Sequence, residues 1–284
     1  MRKRKLKKGP LHLTNDGKLT FFFTGVGSAF SKCHYQTNLI VVKGPDHLMI
    51  DCGTKTPQAL YELGRSITDI GTYFITHSHA DHVGGLEEVM LMNRYVVRKK
   101  PTIILPRLYQ SILWNNSLKG GSVCNESEGD RIKRLSMKDL WRIVRPSRLK
   151  EYSRETFHAS VGGIDLKIFR TKHIPDQTTN WRTSCWSTGV VIDDRVMFSG
   201  DTRYDPDLIL EYGSLFDLEV IFHDCQFFTG GVHAGLDELK EFPADVKAKM
   251  MLVHYGDNWK QMEPRVRELG FKGLGKQWVF YEFS

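Results

Sequence analysis

Apolar residues along this chain come in short runs of strand length. Lys18-Leu19-Thr20-Phe21-Phe22-Phe23 reads as a first strand, and Thr24 to Ala29 as a glycine loop. Asn38 to Lys43 and His47 to Asp51 read as two more strands around Gly44-Pro45-Asp46, a hairpin turn. Thr56 to Leu63 has helical character, Ile70 to Ile75 reads as a buried strand, and Leu86 to Asn93 as the next helix. Ser136 to Val144 and Leu236 to Phe242 read as further helices. Leu166 to Arg170 reads as a further strand, Val196 to Thr202 as an apolar strand ending in Gly-Asp-Thr, and Met250 to His254 as an apolar strand ending in histidine. The order strand, helix, strand, loop, helix predicts an α/β sandwich, with no internal sequence repeat.

The loop after the Ile70–Ile75 strand reads Thr76-His77-Ser78-His79-Ala80-Asp81-His82-Val83-Gly84-Gly85. In an extended segment alternate side chains share a face, so His77 and His79 point the same way. Asp81 and His82 lie past the bend and can face a second ion. Imidazole and carboxylate without thiolate suit zinc, with manganese, iron or nickel as alternatives. Two such ions lower the pKa of a water from about 15.7 toward 7 and offset charge on a phosphoryl or carbonyl oxygen. The chemistry expected is hydrolysis.

This H-x-H-x-D-H pattern resembles the metallo-β-lactamase-fold hydrolases, over roughly Phe21 to Tyr255. The resemblance implies an αββα sandwich of two packed mixed sheets with flanking helices. It also implies two divalent metal ions and three further ligands at strand ends. His173 would complete one site with His77 and His79. His254 would complete the other with Asp81 and His82, and Asp201, in Gly200-Asp201-Thr202, would bridge the two. Asp81 is assigned to the catalytic set as well as to the ligands.

The flanking segments look like the ribonuclease Z-like phosphodiesterase branch. They are Phe23-Thr24-Gly25-Val26-Gly27-Ser28, then Gln36-Thr37-Asn38, then Met49-Ile50-Asp51-Cys52-Gly53. The resemblance places Asp51 behind a ligand histidine. Where the branch has His-Glu-Ala-Thr, this chain has His223-Asp224-Cys225-Gln226, and of a later His-Ser-Thr only His233 remains. Asp224 and His233 are therefore the expected proton-donating pair, with a helix-capping histidine as the plainer alternative for His233. His223 reads equally as a buried histidine or a substrate contact.

The tRNA-processing members insert a long arm between the third histidine and the Gly-Asp-Thr strand. Here His173 and Asp201 are only 28 positions apart. Over His223-Asp224-Cys225-Gln226, Gly230-Gly231-Val232-His233-Ala234 and Val253-His254-Tyr255-Gly256-Asp257 the sequence is similar instead to the armless anti-Pycsar phosphodiesterases, which implies a cyclic mononucleotide as substrate. Trp181, Arg182 and Trp186 fall in that interval and read either as packing or as stacking and phosphate contacts.

Composition narrows the alternatives. The chain has 284 residues and a net charge of +7. Six basic residues within the first eight leave the remainder near +1 (7 minus 6). Residues 1–17 are expected to be a basic, solvated tail, and 18–284 one domain. Its segment 105–157, which carries no family metal position, reads equally as helical padding outside the sheet or as a lid or dimerisation insert, and a homodimer is the expected assembly. A near-neutral body argues against a large nucleic-acid surface. An RNA substrate, with the tail gripping phosphates, remains the main rival, ahead of a non-catalytic nucleic-acid-binding scaffold. Five scattered cysteines without CxxC spacing predict a reducing cytoplasm, and the anti-Pycsar resemblance implies that of a bacterium or of a phage-infected bacterial host. No apolar run approaches the roughly 18 residues of a membrane span. His12, His34, His47 and His158 have no partner pattern and read as structural or exposed.

Overall fold

The computed structural model describes residues 1–6 and 8–284. Two eight-stranded sheets pack face to face. In the first, Leu19–Gly25, Asn38–Lys43 and Asp46–Ile50 form an antiparallel meander, extended in parallel by Thr72–Phe74, Thr102–Ile104 and Arg142–Val144. The second repeats the scheme. Thr156–Val161, Ile164–Arg170, Thr188–Ile192 and Val196–Phe198 run antiparallel, and Val220–Asp224, Met250–Val253 and Gly273–Leu274 continue in parallel.

The Phe21-Phe22-Phe23 run shows why both faces of the first sheet are covered. Side chains alternate along a strand. Phe21 and Phe23 enter the seam between the sheets, where they meet Phe222 with ring centroids 5.6 and 4.8 Å away. Phe22 points to the other face, into a second core shared with Leu60, Val89, Tyr109 and Trp141 from outside the sheet. Each such ring contributes roughly 1.5–3 kcal/mol on burial. Helices Pro206–Leu215 and Trp259–Glu268 bring Leu208, Tyr212 and Val266 to the second sheet. The result is the αββα sandwich expected from the sequence. Among the described residues, no helix is long and apolar enough to cross a membrane.

Three local expectations change. The helix read over 236–242 is only Leu236–Leu239. The helix read over 136–144 is only Met137–Leu140, and Arg142–Val144 is a strand on the edge of the first sheet. Pairing with Thr102–Ile104, distant in sequence, overrides the local pattern there. In the basic segment, where a solvated tail was expected, Arg2–Lys5 pairs antiparallel with Val279–Phe283. Arg4 donates to Glu282 at 2.7 Å and lies over the Phe280 ring at 3.9 Å. Lysine- and arginine-rich edges also discourage further strand pairing. Removing residues 1–6 is expected to lower the melting temperature by about 2–4 °C per kcal/mol of lost pairing and to leave kcat/KM for a small diester unchanged, because no residue of this strand lines the clefts described below. A large rise in KM would make the basic strand part of the substrate site.

Candidate metal centre and proton donor

The parallel strands of both sheets end at one edge, the place where open α/β sheets bind ligands. His77 and His79 follow Thr72–Phe74, and Asp81 and His82 lie in the one-turn helix Ala80–Val83. His173 follows Ile164–Arg170, Asp201 follows Val196–Phe198, Asp224 ends Val220–Asp224, and His254 follows Met250–Val253. All nine side chains singled out from the sequence come together. Among the described residues three groups have potential ligand atoms within 4.8 Å of one another: His77, His79, His173 and Asp201; Asp81, His82, Asp201 and His254; Asp201, Asp224, His233 and His254.

Asp201 belongs to all three groups, and its Oδ2 is buried without a hydrogen-bond donor. It lies 3.3 Å from His82 Nε2, 3.5 Å from His254 Nε2, 3.7 Å from His77 Nε2, 3.8 Å from His233 Nδ1 and 3.9 Å from His173 Nε2. A buried carboxylate oxygen ringed by imidazoles, yet bonded to none, is costly unless a cation completes it. The tautomers agree. His173 Nδ1 faces the Val232 carbonyl at 2.8 Å, so it carries the proton and Nε2 presents a lone pair, 3.3 Å from His79 Nδ1. Thr76 Oγ1 donates to Asp51 Oδ2 and is left to accept from His77 Nδ1 at 3.0 Å, so His77 Nε2 likewise presents a lone pair, 3.0 Å from His79 Nδ1. Burial lowers the pKa of His77, His79 and His173, the last to about 4, so these imidazoles are neutral and ready as ligands. At His82 burial opposes charge, but Asp201, Asp81 and Asp51 raise its pKa well above the ordinary value. The carboxylates around His82 thus favour positive charge at this position. The donor set fits two divalent ions.

The surroundings fix these side chains. Asp51 accepts from His82 Nδ1 at 2.7 Å and from the Thr76 amide at 2.7 Å, the supporting role the sequence suggested. Asn38, in the Gln36-Thr37-Asn38 stretch, donates to the Asp81 carbonyl at 3.1 Å and accepts from the Gly53 amide at 2.6 Å. A Cβ on Gly53 would lie 1.9 Å from the Asp81 carbonyl, so only glycine lets these loops meet. Asp51 and His254 both have left-handed φ angles of 62°. Such backbone costs on the order of 1–3 kcal/mol and is characteristic of functional sites.

Asp224 Oδ2 accepts from His233 Nδ1 at 2.8 Å and from the Thr202 amide at 3.0 Å. Its other oxygen lies 3.4 Å from His254 Nδ1, a second contact that the sequence did not reveal. Burial opposes charge on His233, but the Asp224 carboxylate pushes its pKa up to about 9. His233 is mostly buried, with 19 % of its side chain open toward the clefts. His223 is fully buried, with Nδ1 at 2.6 Å from the Asp224 carbonyl, and lines neither cleft.

Two adjoining clefts open on the cluster. One, of about 410 Å³, reaches His79, Asp81, Asp201 and His233. The other, of about 330 Å³, reaches His233 and His254 and is lined mainly by apolar groups. Trp181 and Arg182 line neither. They stack on each other at 4.3 Å beside a separate polar hollow with Arg154 and Asp205. Trp186 is buried between Tyr109, stacked at 5.6 Å, and Arg170, at 4.6 Å. The packing alternative therefore holds for these aromatics. Tyr109 also links segment 105–157 to the site, its hydroxyl accepting from Ser78 Oγ at 3.1 Å. Of the remaining histidines, His158 pairs with Asp165, His47 accepts from the Gly71 amide, and His34 packs on Tyr255 and Trp259.

The chain matches known proteins in sequence and in fold. The family model described as "Anti-Pycsar protein Apyc1" matches residues 19–281. The chain belongs to the anti-Pycsar Apyc1 family. It is 34% identical to the anti-Pycsar protein of Bacillus phage BSP38 over 259 residues, covering 90% of this chain and 96% of that protein. A bacterial relative from Paenibacillus harenae is 34% identical over 242 residues, 85% of this chain and 91% of that protein. Among solved structures, the metallo-β-lactamase-fold protein YhfI from Bacillus subtilis superposes with a TM-score of 0.67 at 12% identity, covering 94% of this chain and all of that one. A diphosphatase of the PhnP family gives 0.64 at 16% identity, covering 94% and 98% of the two chains. Human tRNase Z, short form, gives 0.57 at 16% identity, covering 92% and 98%. These likenesses show that the Apyc1-family chain has the metallo-β-lactamase fold.

Proposed function

We propose that the protein is a dinuclear-metal phosphodiesterase that hydrolyses a small cyclic nucleotide. The observation that carries this reading is Asp201 Oδ2, without a donor between two ligand groups, with the Asp224–His233 pair beside it. Two ions held there, zinc first and manganese next by the donor set, would supply a water deprotonated near neutral pH and would offset phosphoryl charge. His77, His79 and His173 would hold one ion and Asp81, His82 and His254 the other, with Asp201 within reach of both. Asp81, which lines the larger cleft, would also face the reacting phosphate.

His233 acts on the opposite side of the reaction. Opening a cyclic diester breaks one P–O ester bond to a sugar oxygen, a poor leaving group that needs a proton. The imidazolium of His233, held by Asp224, gives that proton, and a nucleoside monophosphate leaves. The cyclic mononucleotide assignment rests on membership of the anti-Pycsar family. It is consistent with an interval of 174–200 that a loop and strands Thr188–Ile192 and Val196–Phe198 occupy. Segment 105–157, in contact with Ser78 through Tyr109, is the candidate lid or dimer element of a homodimer working inside the bacterial cell.

The test is a panel of substrates offered to protein loaded with zinc or manganese, and to stripped protein. It holds cyclic mononucleotides, bis-p-nitrophenyl phosphate and a precursor tRNA. Turnover of the cyclic nucleotides only in the loaded forms is expected. Cleavage of the tRNA alone, weakening steeply with salt, would overturn the assignment.

A further inference from the structure

The smaller cleft is built unlike the metal centre. It begins at His233 and His254 and ends at two phenylalanines, Phe30 and Phe228, whose residues are 86% and 68% exposed. Both sit on loops tied down by hydrogen bonds. In the Phe30 loop, Asp257 accepts from Ser31 Oγ at 2.5 Å, from the Lys32 amide at 2.8 Å and from the Cys33 amide at 3.1 Å, and the Ser28 amide donates to the Tyr255 carbonyl at 3.0 Å. In the Phe228 loop, the Gln226 side chain donates to the Gly230 carbonyl. The Gln226 amide donates to the Ala234 carbonyl at 2.9 Å, and the Leu236 amide donates to the Gln226 carbonyl at 2.9 Å. A rigid loop that presents a phenylalanine to water loses the burial energy that ring would gain in a core. The same loops carry or hold site residues. Val232 and His233 lie in the Phe228 loop, and the Phe30 loop is fastened to the segment that follows His254.

We propose that Phe30 and Phe228 line a slot for the nucleobase of the substrate. The slot is continuous with the cluster, since both clefts share Ala29, Phe30, Val232 and His233. A phosphodiester seated against Asp201 and His233 has its attached group directed along this lining. A flat, π-faced, partly desolvated ring matches two exposed phenylalanines, because stacking on aromatic side chains is available to every base. The volume, about 330 Å³, is at the lower end of ordinary ligand sites. Sugar and phosphate therefore belong in the neighbouring cleft and the base here. Phe30 and Phe228 belong to none of the candidate ligand groups, so they act on affinity and choice of substrate.

This inference rests on the phosphodiesterase reading, and its test separates the two. Phe30→Ala, Phe228→Ala and the double variant are compared with the intact protein on two substrates. One is a cyclic mononucleotide. The other is methyl riboside 3′,5′-cyclic phosphate, which keeps the sugar and the diester but has no base. Stacking of roughly 1–3 kcal/mol per base corresponds to a rise in KM of about 5- to 150-fold for the cyclic nucleotide. The expected kcat on that substrate, and kcat/KM for the base-free one, stay near the intact values. Phe30→Trp and Phe228→Trp should retain or tighten binding, which a merely structural role would not produce. Equilibrium binding of the cyclic nucleotide to each form is measured in parallel. Binding that depends on both rings without turnover would sink the phosphodiesterase reading and leave the slot standing. Unchanged KM and unchanged binding in the double variant, an equal loss on the base-free substrate, or no cyclic-nucleotide binding by the intact protein would overturn the slot.

Discussion

Asp201→Ala is expected to abolish hydrolysis and to lower the metal content below two ions per chain. The reason is its position. It alone belongs to both proposed metal groups, and its Oδ2 has no bond of its own to lose. Several kcal/mol of transition-state charge stabilisation depend on two ions acting together, which amounts to a loss of at least about a thousandfold in kcat. Asp201→Asn keeps the shape and one oxygen but drops the charge, and should fall between alanine and the intact protein in both readouts. Metal analysis that finds two ions bound in the alanine variant, with full activity, would remove Asp201 from its bridging role.

The second large effect is selective. His233→Ala should lower kcat on a cyclic nucleotide by roughly 10²–10⁴-fold, the usual range for a lost general acid. The same variant should lose much less on bis-p-nitrophenyl phosphate, whose nitrophenolate departs without a proton, and should keep two ions. Equal losses on both substrates would argue against proton donation, and loss of an ion would make His233 a ligand. The pH profile follows from sign. Asp224 raises the His233 pKa to about 9, so the acid form is present below that value and activity on a poor leaving group falls as pH rises through it. Cations bound near Asp201 draw that limb to lower pH. Asp224→Asn should perturb metal retention as well as the pH limb, because Asp224 also lies 3.4 Å from His254.

The legible parts of this protein were those in which neighbours in sequence are neighbours in space. His77 to His82 could be read directly, since one strand end and one helical turn bring all four candidate ligands to the same edge. His173, Asp201 and His254 lie far apart in sequence. Only their shared place at the ends of apolar strands, matched to a family pattern, brought them into one set. What escaped depends on contacts that no local pattern carries. Arg142–Val144 is a strand because Thr102–Ile104 offers an edge, and Arg2–Lys5 is one because Val279–Phe283 does. Phe30 looks like any loop aromatic until the fold sets it across from a histidine cluster, and Trp186 looks like a stacking platform until it is found buried against Tyr109.

The centre also joins the two halves of the molecule. His77, His79, Asp81 and His82 extend from the first sheet, and His173, Asp201 and His254 from the second. Each proposed ion would draw ligands from both, so it would act as a rivet across the seam as well as a reagent. A ligand that binds only the folded form at a thousandfold excess over its dissociation constant adds about 4 kcal/mol of stability. Metal supply would then set how long the protein survives as well as whether it reacts. A chelator would loosen the strand ends at this edge first, leaving the phenylalanine seam around Phe21, Phe23 and Phe222 as the last part to open.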